Sequence, residues 1–168
     1  MSNVLIGIIG VILFIGLALA GALFLGPRFQ ESQNNAKASA VVQVISQVSN
    51  ALEMYRVQEG RIYQPANPLL PMIGLVGTYL RSDPANPTGP NDGIVLLSGI
   101  APSGPTIVVA LVLENNAKPI CEAINRQTGG PTTIPAMSRD GNGRIQTFGT
   151  IRCYDVGDGQ YAVFNGVG

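Results

Sequence analysis

The stretch that most constrains the fold is the N-terminal one, because Arg28 is the first charged residue and residues 4–26 carry no charge at all. The 22 residues from Val4 to Leu25 make a helix of about 33 Å at about 1.5 Å per residue, enough for a bilayer core of roughly 30 Å. A secretory signal usually has basic residues before a shorter apolar region. The sequence therefore predicts a membrane-spanning helix rather than a cleaved export signal.

Small residues recur through this helix. Gly16 and Ala20 lie four positions apart, as do Ala18 and Ala22, and such spacing lets apolar helices approach closely. Glycine is also common in membrane helices in general, which is the simpler explanation of any one pair. The positions predicted to pack against neighbouring helices are Gly7, Gly10, Gly16, Ala20 and Gly21.

Gly26-Pro27 is predicted to break or kink the helix, since proline has no N–H and disfavours helix at the residue before it. The sequence thus predicts a division into an apolar helix at residues 1–27 and a head at residues 28–168. At about 140 residues, the head matches the size of one typical domain.

Composition excludes several kinds of function. There is no histidine, which removes the commonest general base and metal ligand. Ten basic residues balance ten acidic ones, so no basic surface is expected to attract nucleic acid. No catalytic residue, metal site or cofactor is predicted.

Two cysteines, Cys121 and Cys153, lie far apart in the sequence. In an exported chain such a pair most often forms one disulfide, the alternative being two buried free thiols. A disulfide requires the head to lie outside the cytoplasm, whereas the positive-inside rule places Arg28 and Lys37 within it. Removal of a short basic leader before Met1 would reconcile the two, and we state it as a hypothesis.

A second, amphipathic helix is predicted at residues 29–59. Apolar side chains follow one another at steps of four and three, and Gly60 is a typical residue after a helix end; the stripe consists of Val41, Ile45, Val48, Leu52 and Tyr55. Gln43, Gln47, Asn50, Glu53 and Arg56 point in other directions. The stripe is expected to pack on the rest of the head.

Beyond Gly60, proline-rich segments indicate loops, with "MIGLVGTYL" (residues 72–80) between them as a short apolar helix. "GIVLLSG" and "PTIVVALVL", joined by "IAPSG", predict a β-hairpin whose residues 107–113 are buried on both faces. A short helix follows to about Gln127, with Pro119 in its first turn and Asn115 or Asn116 as its cap. "IQTFGTIRCYDV" and "YAVFNG" predict a terminal pair of strands with Cys153 on the first. The fold class is α+β: a long helix on an antiparallel sheet with one disulfide.

With this architecture the chain resembles a type IV pilin, and more narrowly the type IVb class. "RFQESQNNAKASAVVQVISQVSNALEMYRVQEGRIY" is similar to the class's helix, "PICEAINRQTGG" to its short helix with the first cysteine, and "IRCYDVGDGQYAVFNG" to its last strands with the second. The resemblance makes Met1 a candidate for N-terminal methylation. One departure is that mature pilins usually carry a glutamate at their fifth residue, where this chain has Leu5.

The resemblance implies the repeating subunit of an extracellular filament, held in the inner membrane before assembly. The implied partners are identical subunits, an assembly ATPase with its platform protein, and an outer-membrane secretin. It leaves open whether the filament serves adhesion, conjugation, aggregation or phage reception.

Three other interpretations remain. One is a single-pass membrane protein with a binding head, and another is a pseudopilin of a secretion system. Some pseudopilins bind calcium near their C-terminus, where the candidates here are Asp140, Asp155 and Asp158. An enzyme using a pair of these carboxylates is the weakest interpretation, because aspartate beside glycine is ordinary turn chemistry.

Overall fold

The chain forms two helices and five strands in a computed structural model that describes residues 2–65, 72–88, 94–101, 104–114, 117–131, 133–146 and 149–167. For residues 2–3, 23–27, 98–101 and 104–105 it describes the backbone alone. The elements are α1 (Ser2–Glu59), β1 (Ile94–Ala101), β2 (Gly104–Val112), α2 (Lys118–Gln127), β3 (Ile145–Gln146), β4 (Arg152–Gly157) and β5 (Gln160–Val167). The predicted α+β class, with an apolar N-terminal helix and a sheet, is confirmed.

Helix α1 runs without interruption from Ser2 to Glu59, so the break predicted at Gly26-Pro27 is wrong at the level of secondary structure. A proline inside a helix loses its own hydrogen bond and crowds the carbonyl four residues earlier, at a cost of about 3 kcal/mol, and the helix continues on both sides of Pro27 despite this cost. The chain divides into two compact units, Met1–Asn34 and Asn35–Gly168.

In the second unit, the part of α1 after Asn35 supplies one wall of the core. Four residues of the predicted stripe are buried, namely Val41, Ile45, Val48 and Leu52, and Tyr55 is half-buried. The polar residues predicted to face elsewhere are all exposed. Gly60 ends the helix with a φ of 65° and donates its N–H to the Arg56 carbonyl at 2.9 Å, as predicted for a glycine in the left-handed region.

The sheet has the strand order β3-β1-β2-β5-β4. Neighbours are antiparallel except β3, which pairs in parallel with β1 over two residues. Both predicted strand pairs are present, β1 with β2 and β4 with β5. The strands of the first hairpin extend to Ala101 and Gly104, so its connection is shorter than the predicted "IAPSG".

Strand β2 contributes to cores on both faces of the sheet. Val109 and Leu111 pack with α1, whereas Val108 and Ala110 pack with a second cluster that includes Ile145, Tyr154 and Phe164. Because side chains alternate along a strand, the continuous apolar run is explained by burial on both faces. The prediction for residues 107–113 is confirmed.

The short helix predicted at residues 72–80 is not formed, and this segment consists of turns instead. Met72 and Leu75 are buried, but Gly77 has a φ of 91°, which a regular helix does not contain. A Cβ on Gly74 would lie 2.8 Å from the Tyr63 hydroxyl oxygen. The contact of Gly74 with Tyr63 and the left-handed conformation of Gly77 therefore favour turns over the helix that the apolar residues predict.

Candidate functional surfaces

The apolar surface of α1 in the first unit is the largest functional candidate. Among residues 4–22 the large apolar side chains are exposed on every side of the helix, with Phe14 and Leu17 about three-quarters exposed at 73% and 74%. Val4–Ala22 is long and apolar enough to cross a membrane, although signal sequences meet the same criterion. A helix that is apolar all round requires an apolar environment on every side.

The glycines of this helix have no packing role within the part of the chain that the structure describes. A Cβ added at Gly7, Gly10, Gly16 or Gly21 would meet no atom within 4 Å. Each glycine costs a helix about 0.5 to 1 kcal/mol relative to alanine, and no contact inside the described part of the chain offsets that cost.

The small residues predicted to pack against neighbouring helices lie on two sides of the helix. At about 100° per residue, Gly7, Gly10 and Gly21 fall within about 60° of one another, and Gly16 and Ala20, about 40° apart, are centred about 130° away from them. We name these the first and second small faces. Two separate faces let one helix be approached closely by two neighbours from different directions.

The N-terminus of α1 carries no acidic residue in its first turn. Leu5 is 64% exposed, so an apolar side chain stands on the helix surface where a pilin usually has its glutamate. The methylation candidate Met1 lies outside the described residues.

The predicted disulfide is confirmed, because Cys121 and Cys153 are bonded, with their Cα atoms 5.4 Å apart. The bond joins α2 to β4, and the alternative of two free thiols is wrong. Proline lies at the start of α2 as predicted. The N-cap is Ala117, while the cap candidates Asn115 and Asn116 lie outside the described residues.

Asn125 lies beside the disulfide and was not singled out from the sequence. Its side chain is 1% exposed and pairs with the backbone of Cys153 twice. The Cys153 N–H donates to Oδ1 at 2.9 Å, and Nδ2 donates to the Cys153 carbonyl at 3.2 Å. The partners are 28 residues apart, so no local sequence pattern indicates them.

Two of the three acidic candidates, Asp140 and Asp158, lie in turns, whereas Asp155 lies on β4 next to an irregularity in its pairing with β5. Asp140 Oδ1 accepts hydrogen bonds from the N–H groups of Asn142 and Arg144, and Asp155 Oδ1 accepts one from Gly157. Asp158 has a φ of 53°, in the left-handed region that aspartate tolerates in turns. Within the described residues, no three potential metal ligands form a cluster. Turn formation accounts for Asp140 and Asp158, and Asp155 supports the irregular end of β4.

A polar cavity lies next to the disulfide, between α2, β4 and β5. Its volume is about 280 Å³, and it is lined by Lys118, Glu122, Thr133, Ile134, Asp155 and Tyr161. The only signal in the sequence is the spacing of Lys118 and Glu122, which places both on one side of α2. On the other face of the sheet, burial raises the pKa of the Tyr154 phenol.

No family model matches the chain, and no curated protein or solved structure matches it. Function is therefore inferred from the chain's own residues and their arrangement.

Proposed function

We propose that the chain is the repeating subunit of an extracellular filament of the type IV pilus kind. The observation that carries the proposal is that α1 exposes an all-apolar surface in the first unit and buries an amphipathic stripe in the second. A chain with both features has a self-sufficient head and a helix that needs apolar surroundings from elsewhere. The inner membrane supplies them before assembly, and neighbouring copies supply them afterwards.

The free energy gained by burying this apolar surface is large. Twelve large apolar side chains between residues 4 and 19 are exposed, and burial of each is worth about 1.5 to 3 kcal/mol. These are Val4, Leu5, Ile6, Ile8, Ile9, Val11, Ile12, Leu13, Phe14, Ile15, Leu17 and Leu19. Outside lipid, only association with other apolar helices can recover this energy.

The two small faces favour a polymer over a closed pair. Leaving lipid for protein brings no hydrophobic gain, so close packing at small residues must drive association. A helix with one such face can satisfy it in a symmetric dimer, whereas two different faces allow head-to-tail contacts, which continue into a filament when the rotation between copies does not close a ring. A lone membrane span would have no use for either face.

Register between copies is proposed to depend on this packing. With Leu5 in place of a glutamate, no carboxylate in the first turn of α1 is available to pair with the N-terminal amine of a neighbour. By its resemblance to pilins, the chain is proposed to work with an assembly ATPase, a platform protein and an outer-membrane secretin.

The proposal is tested by finding which cell fraction contains the native chain. Cells that produce it are sheared without detergent, the supernatant is centrifuged, and the pellet is imaged and probed for the chain. We expect fibres composed of this chain, and none from matched cells lacking it. Recovery of the chain only from inner membranes would favour a single-pass protein, and short assemblies confined to the periplasm would favour a pseudopilin; either result would contradict the proposal.

A further inference from the structure

The polar cavity beside the disulfide has the features of a binding site, and its position follows from regular geometry. Asp155 lies two residues after Cys153 on β4, so both side chains point to the face of the sheet that carries α2. Tyr161 is the partner of Asp155 across the strands. Lys118 and Glu122 lie one helical turn apart on α2, next to Cys121. The disulfide thus brings the polar side of α2 against the ends of β4 and β5.

The walls of the cavity are fixed by covalent and backbone bonds. The disulfide holds α2 to β4. The Asp155 N–H donates to the Pro135 carbonyl and the Met137 N–H donates to the Asp155 carbonyl, both at 2.9 Å, which holds the segment bearing Thr133 and Ile134 against β4. A site held this way needs little reorganisation to bind a ligand.

The charged side chains around the cavity, Lys118, Glu122 and Asp155, form no ion pairs within the part of the chain that the structure describes. Asp155 uses Oδ1 to accept from the Gly157 N–H. The cavity therefore presents one ammonium, two carboxylates, a hydroxyl and a phenol to whatever enters it.

We propose that this cavity binds a small zwitterion of the α-amino-acid class. The ligand's ammonium would be held by the carboxylates of Glu122 and Asp155 beside the Tyr161 ring, since cations are attracted to carboxylates and to aromatic faces. Its carboxylate would be held by Lys118 and Thr133. A metal cation is opposed by the Lys118 ammonium, and a neutral sugar leaves all three charges uncompensated. The proposal concerns the second unit alone and stands whether or not the chain polymerises.

The experiment is a titration of the full chain in a nonionic polyoxyethylene detergent, which carries neither sugar nor charge. L-Alanine is added at low ionic strength, and amide chemical shifts are followed by NMR. We expect saturable shifts at residues around the cavity, with a Kd on the order of 1 mM. Methylammonium and acetate, each carrying half of the zwitterion, are expected to bind at least tenfold more weakly.

Variants test the assigned residues. Glu122→Gln, Asp155→Asn and Lys118→Gln each remove one charge at nearly constant shape, and Asn at 155 keeps an acceptor for the Gly157 N–H. Each is expected to weaken L-alanine binding at least fivefold with the rest of the spectrum unchanged. Glu53→Gln, on the exposed side of α1, is the matched control and is expected to have no effect.

The proposal is overturned if L-alanine gives no saturable shifts. It is equally overturned if glucose or calcium binds at the cavity and L-alanine does not, or if the three charge variants bind L-alanine as the native chain does.

Discussion

At the scale of single residues, the side chain of Asn125 makes the backbone hydrogen bonds that a further strand would make with β4. Strand β4 is at the edge of the sheet, and the amide of Asn125 satisfies both backbone groups of Cys153 on that side. Gly130 closes over it, since a Cβ there would lie 3.2 Å from Asn125 Oδ1. Two hydrogen bonds thus hold α2 to β4 at the residue that carries the disulfide, independently of the sulfur bond.

Replacement of Asn125 is expected to be costly. Asn125→Ala leaves the buried N–H and carbonyl of Cys153 without partners, and each such group costs about 1 to 3 kcal/mol, so we expect a loss of about 2 to 6 kcal/mol. Thermal unfolding in detergent, followed by near-ultraviolet circular dichroism, measures it. Exposed Asn50→Ala is the control, expected within about 0.5 kcal/mol of the native chain.

Asn125→Asp is expected to make the free energy of unfolding depend on pH. A carboxyl buried against the Cys153 carbonyl has its pKa raised above the unfolded value of about 3.9. The folded state then holds its proton more tightly, so stability is greatest at low pH and falls as pH rises through the raised pKa. Equal destabilisation at acid and neutral pH would show that Asn125 does not pair as described.

At the scale of elements, the sequence predicts what local patterns determine. The stripe on α1, the glycine at its end and both strand pairs follow from periodicity and turn residues, and all are confirmed. Two predictions fail, and only the first of them fails because of long-range packing. Residues 72–80 form turns because Gly74 packs on Tyr63, and α1 passes through Pro27. The polar cavity was not predicted because its walls come from segments that only the folded chain brings together.

The second small face gives an element-scale prediction about assembly. Gly16→Leu with Ala20→Leu fills that face while keeping the helix apolar and well suited to lipid. We expect the amount of subunit in the membrane to stay constant and the yield of sheared fibres to fall at least tenfold, because neighbouring helices can no longer approach closely. Quantitative immunoblotting of both fractions measures the change.

A matched control tests whether leucine substitutions outside the second small face also reduce assembly. Val11→Leu with Ile15→Leu has the same spacing and is apolar, but it alters residues that are already large and exposed. It is expected to leave fibre yield within twofold of the native chain. Equal losses from both double variants, or no loss from either, would show that the second small face does not mediate assembly.

At the scale of the whole molecule, the two units depend on different sources of stability. The second unit buries its own core and carries the disulfide. The first exposes apolar side chains and is expected to take its stability from apolar surroundings. Heat and reduction should therefore act on the second unit while the apolar helix stays folded in a micelle, since a helix in lipid-like surroundings keeps its backbone hydrogen bonds.

Removal of the disulfide tests this independence. Cys121 and Cys153 close a loop with a sequence separation of 32, for which chain entropy predicts a stabilisation of about 3 to 4 kcal/mol. Cys121→Ala with Cys153→Ala is expected to lower the melting temperature of the head by roughly 10 °C, with the helical signal at 222 nm falling only in part. Reduction of the native chain should give the same shift. Loss of the entire helical signal in one transition, or a melting temperature unchanged without the disulfide, would mean that the two units do not draw on separate sources of stability.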